Sequence, residues 1–136
     1  MDPNATILVV DDDPGHARLV EKNLRRSGIA NAIHRFGSGA EVLAFLASPQ
    51  YSSQALVLLD LNMPGMHGQQ VLARIKNDAH TRHLPVIVLT TAEDGAEMRR
   101  CYELGCNFYL TKPVHYDDFV ATVHKLGLFL SIVAIP

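Results

Sequence analysis

The chain has 136 residues, of which 48% are hydrophobic and 19% are charged. This composition is typical of a globular protein, and the length predicts one domain over residues 1–136 with a sizeable core. The formal net charge of −2 argues against nucleic acid as a direct partner, because phosphate binding needs a concentrated positive field.

The two cysteines form no disulfide framework, which is typical of a reducing compartment. The first residues do not show the pattern of a secretion signal, so we expect none, and no apolar run approaches the ~20 residues that a bilayer-spanning helix needs. We therefore expect a cytoplasmic protein that has no membrane as a partner.

The first third of the chain predicts two strand–helix pairs. Residues 7–10 form a uniformly aliphatic run, which predicts a buried strand. Asp13 is a plausible cap for the helix that follows. Residues 30–36 are less regular and favour an edge strand. Ser38, with Glu41 three residues on, predicts a capping box at the start of the second helix.

The rest of the chain continues the alternation. The predicted elements are a strand at 56–59, a helix at 68–78, a strand at 85–89, a helix at 94–104, a strand at 107–111 and a helix at 115–130. In the fourth helix, Met98, Cys101 and Tyr102 are expected to face inward.

Five strand–helix repeats with short connections predict an α/β fold with a doubly wound parallel sheet and helices on both faces. The predicted strand order is 2-1-3-4-5, which brings the carboxyl ends of strands one, three, four and five around one crevice. That crevice is where ligands bind in open α/β sheets.

The residues that end those strands are Asp11 and Asp12, Asp60, Thr90 and Lys112. Carboxylates this close raise one another's pKa, and a divalent cation relieves the repulsion. Oxygen ligands and a partly hydrated site favour Mg²⁺.

We predict that Asp12 and Asp60 bind Mg²⁺ directly, Asp11 through water, and Asn62 through its backbone carbonyl. A carboxylate facing magnesium, a hydroxyl and a lysine is the set of groups that phosphoryl transfer uses. Asp60 can be the nucleophile and form an aspartyl phosphate. Thr90 and Lys112 would each contact one phosphoryl oxygen, and magnesium would hold the third.

The sequence resembles the receiver domains of two-component response regulators over about residues 7–126. The matching segments are Ile7–Asp12, Leu58–Gly68, Pro85–Thr90 and Tyr109–Pro113. The resemblance implies a flavodoxin-like fold in which Asp60 accepts phosphate from a phosphohistidine on a sensor histidine kinase. It also implies a cis peptide at Lys112–Pro113 and a switch pair formed by Thr90 and Tyr109.

Two positions depart from the common receiver pattern. Thr91 stands where many receivers carry Ala or Gly, which would narrow access to the phosphoryl group. Ala92 cannot orient an attacking water, and Asn62 can do so only in part. We therefore predict slow self-dephosphorylation.

The C-terminal stretch from residue 126 to residue 136 is apolar and carries no charge. An exposed apolar patch marks a protein interface. The stretch is similar to the end of small single-domain regulators paired with bacterial phytochrome kinases, which implies a homodimer through the last helix and tail. The alternative is that the tail folds back on its own domain. The predicted dimer contacts are Phe119, Leu126, Leu128, Phe129, Ile132 and Ile135.

Several alternatives stay open. Since no output domain is expected after the last helix, the signal would leave through a protein contact, as a phosphorelay intermediate, or by draining phosphate from a kinase. An aspartate-nucleophile phosphatase would need a second acid two residues after Asp60, and Asn62 stands there. The seven histidines show no zinc or phosphotransfer pattern, so we expect surface or packing positions for them.

Overall fold

A computed structural model of the chain describes residues 5–49, 51, 54–63, 65, 67–91, 95–112 and 115–129, without the side chains of 123, 124 and 126–129. Within these residues strands and helices alternate as the sequence predicts. They are β1 (Thr6–Val10), α1 (Pro14–Arg26), β2 (Ile33–Phe36), α2 (Gly39–Leu46), β3 (Ala55–Asp60), α3 (Gly68–Asn77), β4 (Val86–Thr90), α4 (Gly95–Leu104), β5 (Phe108–Thr111) and α5 (Tyr116–Phe129).

The strands form one parallel sheet in the order β2-β1-β3-β4-β5, which confirms the predicted topology. Val10 pairs with Leu59, and Asp60 pairs with Leu89. Because all the strands run the same way, the residues that follow β1, β3, β4 and β5 lie at one edge. That edge is the predicted site of ligand binding.

The sheet separates two apolar cores. Successive strand residues point to opposite faces. Leu8 and Val10 accordingly pack in the core that α2, α3 and α4 cover, while Ile7 and Val9 pack in the core beneath α1. Every residue of β3 is buried, as its uniformly aliphatic sequence predicts.

Hydrogen bonds at the helix starts match the predicted caps in most details. The Asp13 carboxylate accepts from the backbone N–H of Gly15 at 2.9 Å and of His16 at 3.3 Å, so α1 is capped as expected. Ser38 accepts from the Glu41 N–H, but the Glu41 carboxylate accepts from the residue before Ser38, so the predicted capping box is only half formed.

The prediction for the inward face of α4 is partly wrong. Cys101 is fully buried, but Met98 is 41% exposed and Tyr102 is 45% exposed. The reason lies in the tertiary packing, since α4 covers the side of the sheet where β5 is the edge strand. There only a narrow stripe of the helix meets other elements. None of the described helices is long and apolar enough to cross a membrane.

Candidate functional site

Three carboxylates meet at the carboxyl edge of the sheet. Asp11, Asp12 and Asp60 each offer one oxygen, and these oxygens lie within 4.8 Å of one another. Asp11 follows β1 and Asp60 ends the neighbouring strand β3, so the parallel pairing of the two strands brings them together. Asp11 and Asp60 are buried, whereas Asp12 is exposed. The predicted acidic cluster is therefore present, with one carboxylate open to solvent.

Asp60 lies against the predicted lysine. The Lys112 Nζ is 3.0 Å from the Asp60 Oδ2, and both side chains are largely buried. The other oxygen of Asp60 accepts a 2.9 Å hydrogen bond from the Asn62 N–H. Burial raises the pKa of Asp60, and the charge of Asp11 raises it further. The Asn62 N–H and Lys112 act in the opposite direction without offsetting these two causes.

Asp11 has a partner that the sequence did not suggest. One of its oxygens accepts a 2.9 Å hydrogen bond from the Asp13 N–H, and the other pairs with Nδ1 of His16. Burial raises the pKa of Asp11, but these hydrogen bonds and the positive charges of His16 and Lys112 bring it below its ordinary value.

The expectation that the histidines take only surface or packing positions is therefore wrong for His16. A signal was available, because α1 begins immediately after the acidic run. A residue in its first turn must therefore lie near the edge of the sheet.

Thr90 and Tyr109 lie on the same face of the sheet. Thr90 ends β4 and is fully buried, and Tyr109 pairs in register with Val88, two residues before Thr90. Because residues two apart on a strand share a face, the threonine and the tyrosine are diagonal neighbours. The Tyr109 hydroxyl donates a 2.9 Å hydrogen bond to the Glu97 carboxylate on α4. The two residues predicted as a switch pair are thus close enough for a displacement of one to affect the position of the other.

Thr91 and Asn62 connect the loops that follow β4 and β3. The Asn62 side-chain oxygen accepts from the Thr91 N–H at 2.7 Å and from the Thr91 hydroxyl at 3.3 Å. Since a backbone N–H can only donate, the oxygen of this amide must face Thr91. The Asn62 amide is therefore left mainly with its NH₂ group, which can donate but not accept.

The donor set at this edge fits a hard divalent cation. Three carboxylates lie at this edge with one ammonium beside them, and carboxylate oxygens are preferred ligands of Mg²⁺ and Mn²⁺. The contribution of the Asn62 backbone carbonyl stays a prediction. Pro113 lies outside the described residues, and so does the predicted cis peptide.

One predicted dimer contact is corrected by the structure. Phe119 is only 2% exposed and packs against the face of α1 formed by Ala17, Val20 and Leu24. An aromatic ring buried in its own core is not available to a second copy. The side chains of Leu126, Leu128 and Phe129 lie outside the described part, as do residues 132 and 135.

An open parallel sheet with an acidic cluster, a lysine and a threonine at its carboxyl edge defines a class of flavodoxin-like domains with a cation site. Comparison of the sequence then gives the family. Residues 7–124 match the family described as response regulator receiver domain, and the chain belongs to that family. Receiver domains are phosphoacceptors that act with sensor histidine kinases and bind a divalent metal at an aspartate cluster.

Individual relatives agree with this assignment. A response regulator receiver domain from Rhodospirillum rubrum is 45% identical, with a TM-score of 0.79 and 97% of each chain covered. Response regulator Rcp1 of Synechocystis sp. is 35% identical, and the match covers 98% of this chain and 95% of that protein. A phosphorylated cyanobacterial phytochrome response regulator, RcpA, is 30% identical with a TM-score of 0.77 and 93% of each chain covered. Phytochrome response regulators are thus among the relatives of this chain.

Proposed function

We propose that this protein is a response regulator that accepts a phosphoryl group from a sensor histidine kinase onto Asp60. The observation that carries the proposal is the position of the Asp60 carboxylate. It is buried at a strand end, 3.0 Å from the Lys112 ammonium and beside the carboxylates of Asp11 and Asp12. No other carboxylate in the described residues combines these neighbours.

The proposed reaction transfers a phosphoryl group between two nucleophiles. An Asp60 oxygen attacks phosphorus, the phosphorus–nitrogen bond of the kinase phosphohistidine breaks, and the imidazole leaves with the electron pair and takes up a proton. The Lys112 ammonium already contacts the attacking carboxylate of Asp60. It can therefore pair with a phosphoryl oxygen as negative charge develops on that oxygen. The Thr90 hydroxyl is proposed to bind a second oxygen.

We propose Mg²⁺ as the resident cation, with Asp12 and Asp60 as direct ligands, Asp11 as a ligand through water and the Asn62 carbonyl as a further ligand. When bound, the ion neutralises charge on the phosphoryl group. The solved Mn²⁺-bound form of Rcp1, which is 33% identical with a TM-score of 0.76, supports a divalent ion at such a cluster.

Signal output is proposed to pass through Thr90 and Tyr109, and from Tyr109 to α4 through Glu97. Movement of the threonine toward a phosphoryl group would open or close space beside its diagonal neighbour Tyr109. A two-state change of this kind needs only a small local displacement when the residues around it are well packed.

The proposed partner is a sensor histidine kinase, and the phytochrome response regulators among the relatives favour a bacteriophytochrome. A homodimer is proposed through the last helix and tail, with Leu126, Leu128, Phe129, Ile132 and Ile135 as contacts. The alternative roles for Asp60 as the acceptor are relay of the phosphate as a phosphorelay intermediate and removal of phosphate from a kinase.

Mass spectrometry after incubation with Mg²⁺ and a small phosphoramidate donor tests the acceptor. The wild type should gain about 80 Da, the mass of one phosphoryl group, and Asp60→Asn should gain nothing. Asp13→Asn is the matched control, because it changes a neighbouring acid while keeping a side chain that can cap α1. An equal adduct on Asp60→Asn would contradict the proposal.

A further inference from the structure

His16 lies beside the acidic cluster but is not a member of it. The cluster consists of carboxylate oxygens of Asp11, Asp12 and Asp60, whereas Nδ1 of His16 pairs with Oδ2 of Asp11. An ionised carboxylate can only accept hydrogen bonds, so Nδ1 is the donor. The side chain of Asp11 is only 1% exposed, so solvent water has little access to the place that the imidazole takes. The imidazole is therefore directed at Asp11 and not at a shared ion.

Three hydrogen bonds form a closed cycle around this pair. The Asp13 N–H donates to Oδ1 of Asp11 at 2.9 Å, and the Asp13 carboxylate accepts from the backbone N–H of His16 at 3.3 Å. The imidazole of His16 completes the cycle at the second oxygen of Asp11. The cycle joins the end of β1 to the first turn of α1. Rotation of the Asp11 carboxylate would break two of these bonds at once, so its orientation is fixed.

The fixed carboxylate of Asp11 can still accept further hydrogen bonds. A carboxylate has about four lone-pair sites, two on each oxygen. The Asp13 N–H uses one site on Oδ1, and His16 uses one site on Oδ2. One site on each oxygen thus remains for a further donor. An acceptor of this kind suits Mg²⁺, because that ion keeps several of its waters when a protein binds it.

We propose that His16 is a positioning residue for the cation site, which holds the Asp11 carboxylate in the orientation that accepts a hydrogen bond from water on the ion. The inference rests on the proposed function, in which Asp11 is a ligand through water. Hydrogen-bond partners of metal-binding groups fix the orientation of those groups, and their loss costs about 10- to 100-fold in metal affinity. His16 acts through Asp11 and does not itself bind the ion.

Calorimetric titration with Mg²⁺ of two variants with matched shape tests this role. In His16→Asn the amide nitrogen is bonded to Cγ, as Nδ1 is in histidine, so it can donate to Asp11 from the same place. His16→Leu has the same branching at Cγ but no donor. The affinity for Mg²⁺ should fall at least about tenfold in His16→Leu and stay within about threefold of the wild type in His16→Asn.

Two further variants control the titration. His16→Ala also lacks the donor and should weaken Mg²⁺ binding as His16→Leu does, so the comparison holds if one of the two fails to fold. His80→Ala, an exposed change in the loop before β4, should leave the affinity unchanged.

Three results of the titration would overturn the proposal. The first is an unchanged affinity in the variants without a donor. The second is a higher affinity in those variants, because His16 would then compete with the ion for Asp11. The third is an equally weakened affinity in His16→Asn, because the hydrogen-bond donor would then not be the cause.

The rate of phosphoryl adduct formation with a small phosphoramidate donor gives a second readout. The Mg²⁺ concentration that gives half the maximal rate should rise in His16→Leu, while the rate at saturating Mg²⁺ should stay within about twofold of the wild type. A general structural defect would lower the saturated rate instead. A saturated rate that stays low in His16→Leu would therefore contradict the proposal.

Failure of this inference can be told apart from failure of the proposed function. If the wild type gains the adduct and His16→Leu binds Mg²⁺ as tightly as the wild type, the positioning role of His16 fails and the phosphoacceptor stands. If no adduct forms while the Mg²⁺ affinity depends on a donor at position 16, the phosphoacceptor fails and the positioning role stands.

Discussion

The hydroxyl of Tyr109 donates a 2.9 Å hydrogen bond to the carboxylate of Glu97 and so ties β5 to α4. The tyrosine ring is only 8% exposed and belongs to the core that α2, α3 and α4 cover. The residue that the receiver resemblance marks as a switch is therefore directed inward in this structure, and the helix it holds is α4.

Tyr109→Phe should keep the ring packing and lose this bond. We expect a loss of about 1 kcal/mol in the free energy of unfolding, the usual net value of one hydrogen bond. The backbone amides of α4 should exchange faster with deuterium. A double-mutant cycle with Glu97→Ala, which removes the acceptor oxygens, isolates the pair, and additive losses for the two changes would show that they do not interact.

Without metal, the buried carboxylate of Asp60 should lower the free energy of unfolding at neutral pH relative to its value at acidic pH. Its pKa is raised above the ordinary value of 3.8, mainly by burial. As the pH rises through that value, the unfolded chain loses its proton first, which favours unfolding until the folded protein also ionises.

Asp60→Asn removes this penalty. In metal-free buffer the variant should therefore be more stable than the wild type near pH 7, and the difference should vanish as the pH falls below the ordinary value. Urea unfolding of both proteins from pH 3 to pH 7, a range chosen around that value, measures the difference. A variant that is less stable than the wild type at pH 7 would show that Lys112 more than offsets burial.

Mg²⁺ should stabilise the folded protein through the acidic cluster. An ion that binds only the folded state adds about 2.7 kcal/mol at a hundred times its dissociation constant. Asp12→Asn removes the exposed carboxylate of the cluster and should lose most of that gain, whereas Asp13→Asn should retain it. Thermal unfolding with Mg²⁺ and with a chelator checks this, and equal shifts in the two variants would place the ion elsewhere.

Phe119→Ala should destabilise the protomer itself. Removing a buried phenylalanine side chain costs roughly 3–5 kcal/mol, because it leaves a cavity in the core. Leu19→Ala on α1 is the control, since Leu19 is 54% exposed and its loss should change stability by no more than about 0.5 kcal/mol. Chemical unfolding at two protein concentrations should give the same loss. A loss of stability that depends on protein concentration would indicate that Phe119 lies in a dimer interface.

The aspartyl phosphate should decay slowly and be accelerated by an added acid near the site. The Asn62 oxygen is occupied by Thr91, so this amide is poorly placed to accept a hydrogen bond from an attacking water. Ala92→Glu adds a carboxylate next to Thr91 and should shorten the acyl-phosphate half-life several-fold. A time course of adduct mass measures the decay, and an unchanged half-life would count against this account.

Most of the fold was predictable because its determinants are local. A uniformly aliphatic run such as residues 56–59 can be stable only where both faces are covered, so it predicts a central parallel strand. The capping carboxylate of Asp13 acts on backbone groups two and three residues away, and the sequence shows that relationship directly.

The sequence-based predictions of side-chain burial were wrong where burial depends on which helix or strand packs against the residue. Met98 and Tyr102 fall on a plausible apolar face of α4, but the edge position of β5 leaves them exposed. Phe119 is apolar in either environment, and only the packing of α5 against α1 decides between core and interface.

By itself, the sequence determined the strand order through its five strand–helix repeats. It also placed the carboxylates, Thr90 and Lys112 at one edge of the sheet, because the carboxyl ends of parallel strands lie at the same edge. Only the tertiary structure decided which of these groups touch. The contacts of Lys112 with Asp60, His16 with Asp11 and Asn62 with Thr91 join residues on separate loops, strands or helices. Contacts of that kind depend on side-chain direction and on a few ångströms of backbone placement, and neither is encoded in any local pattern.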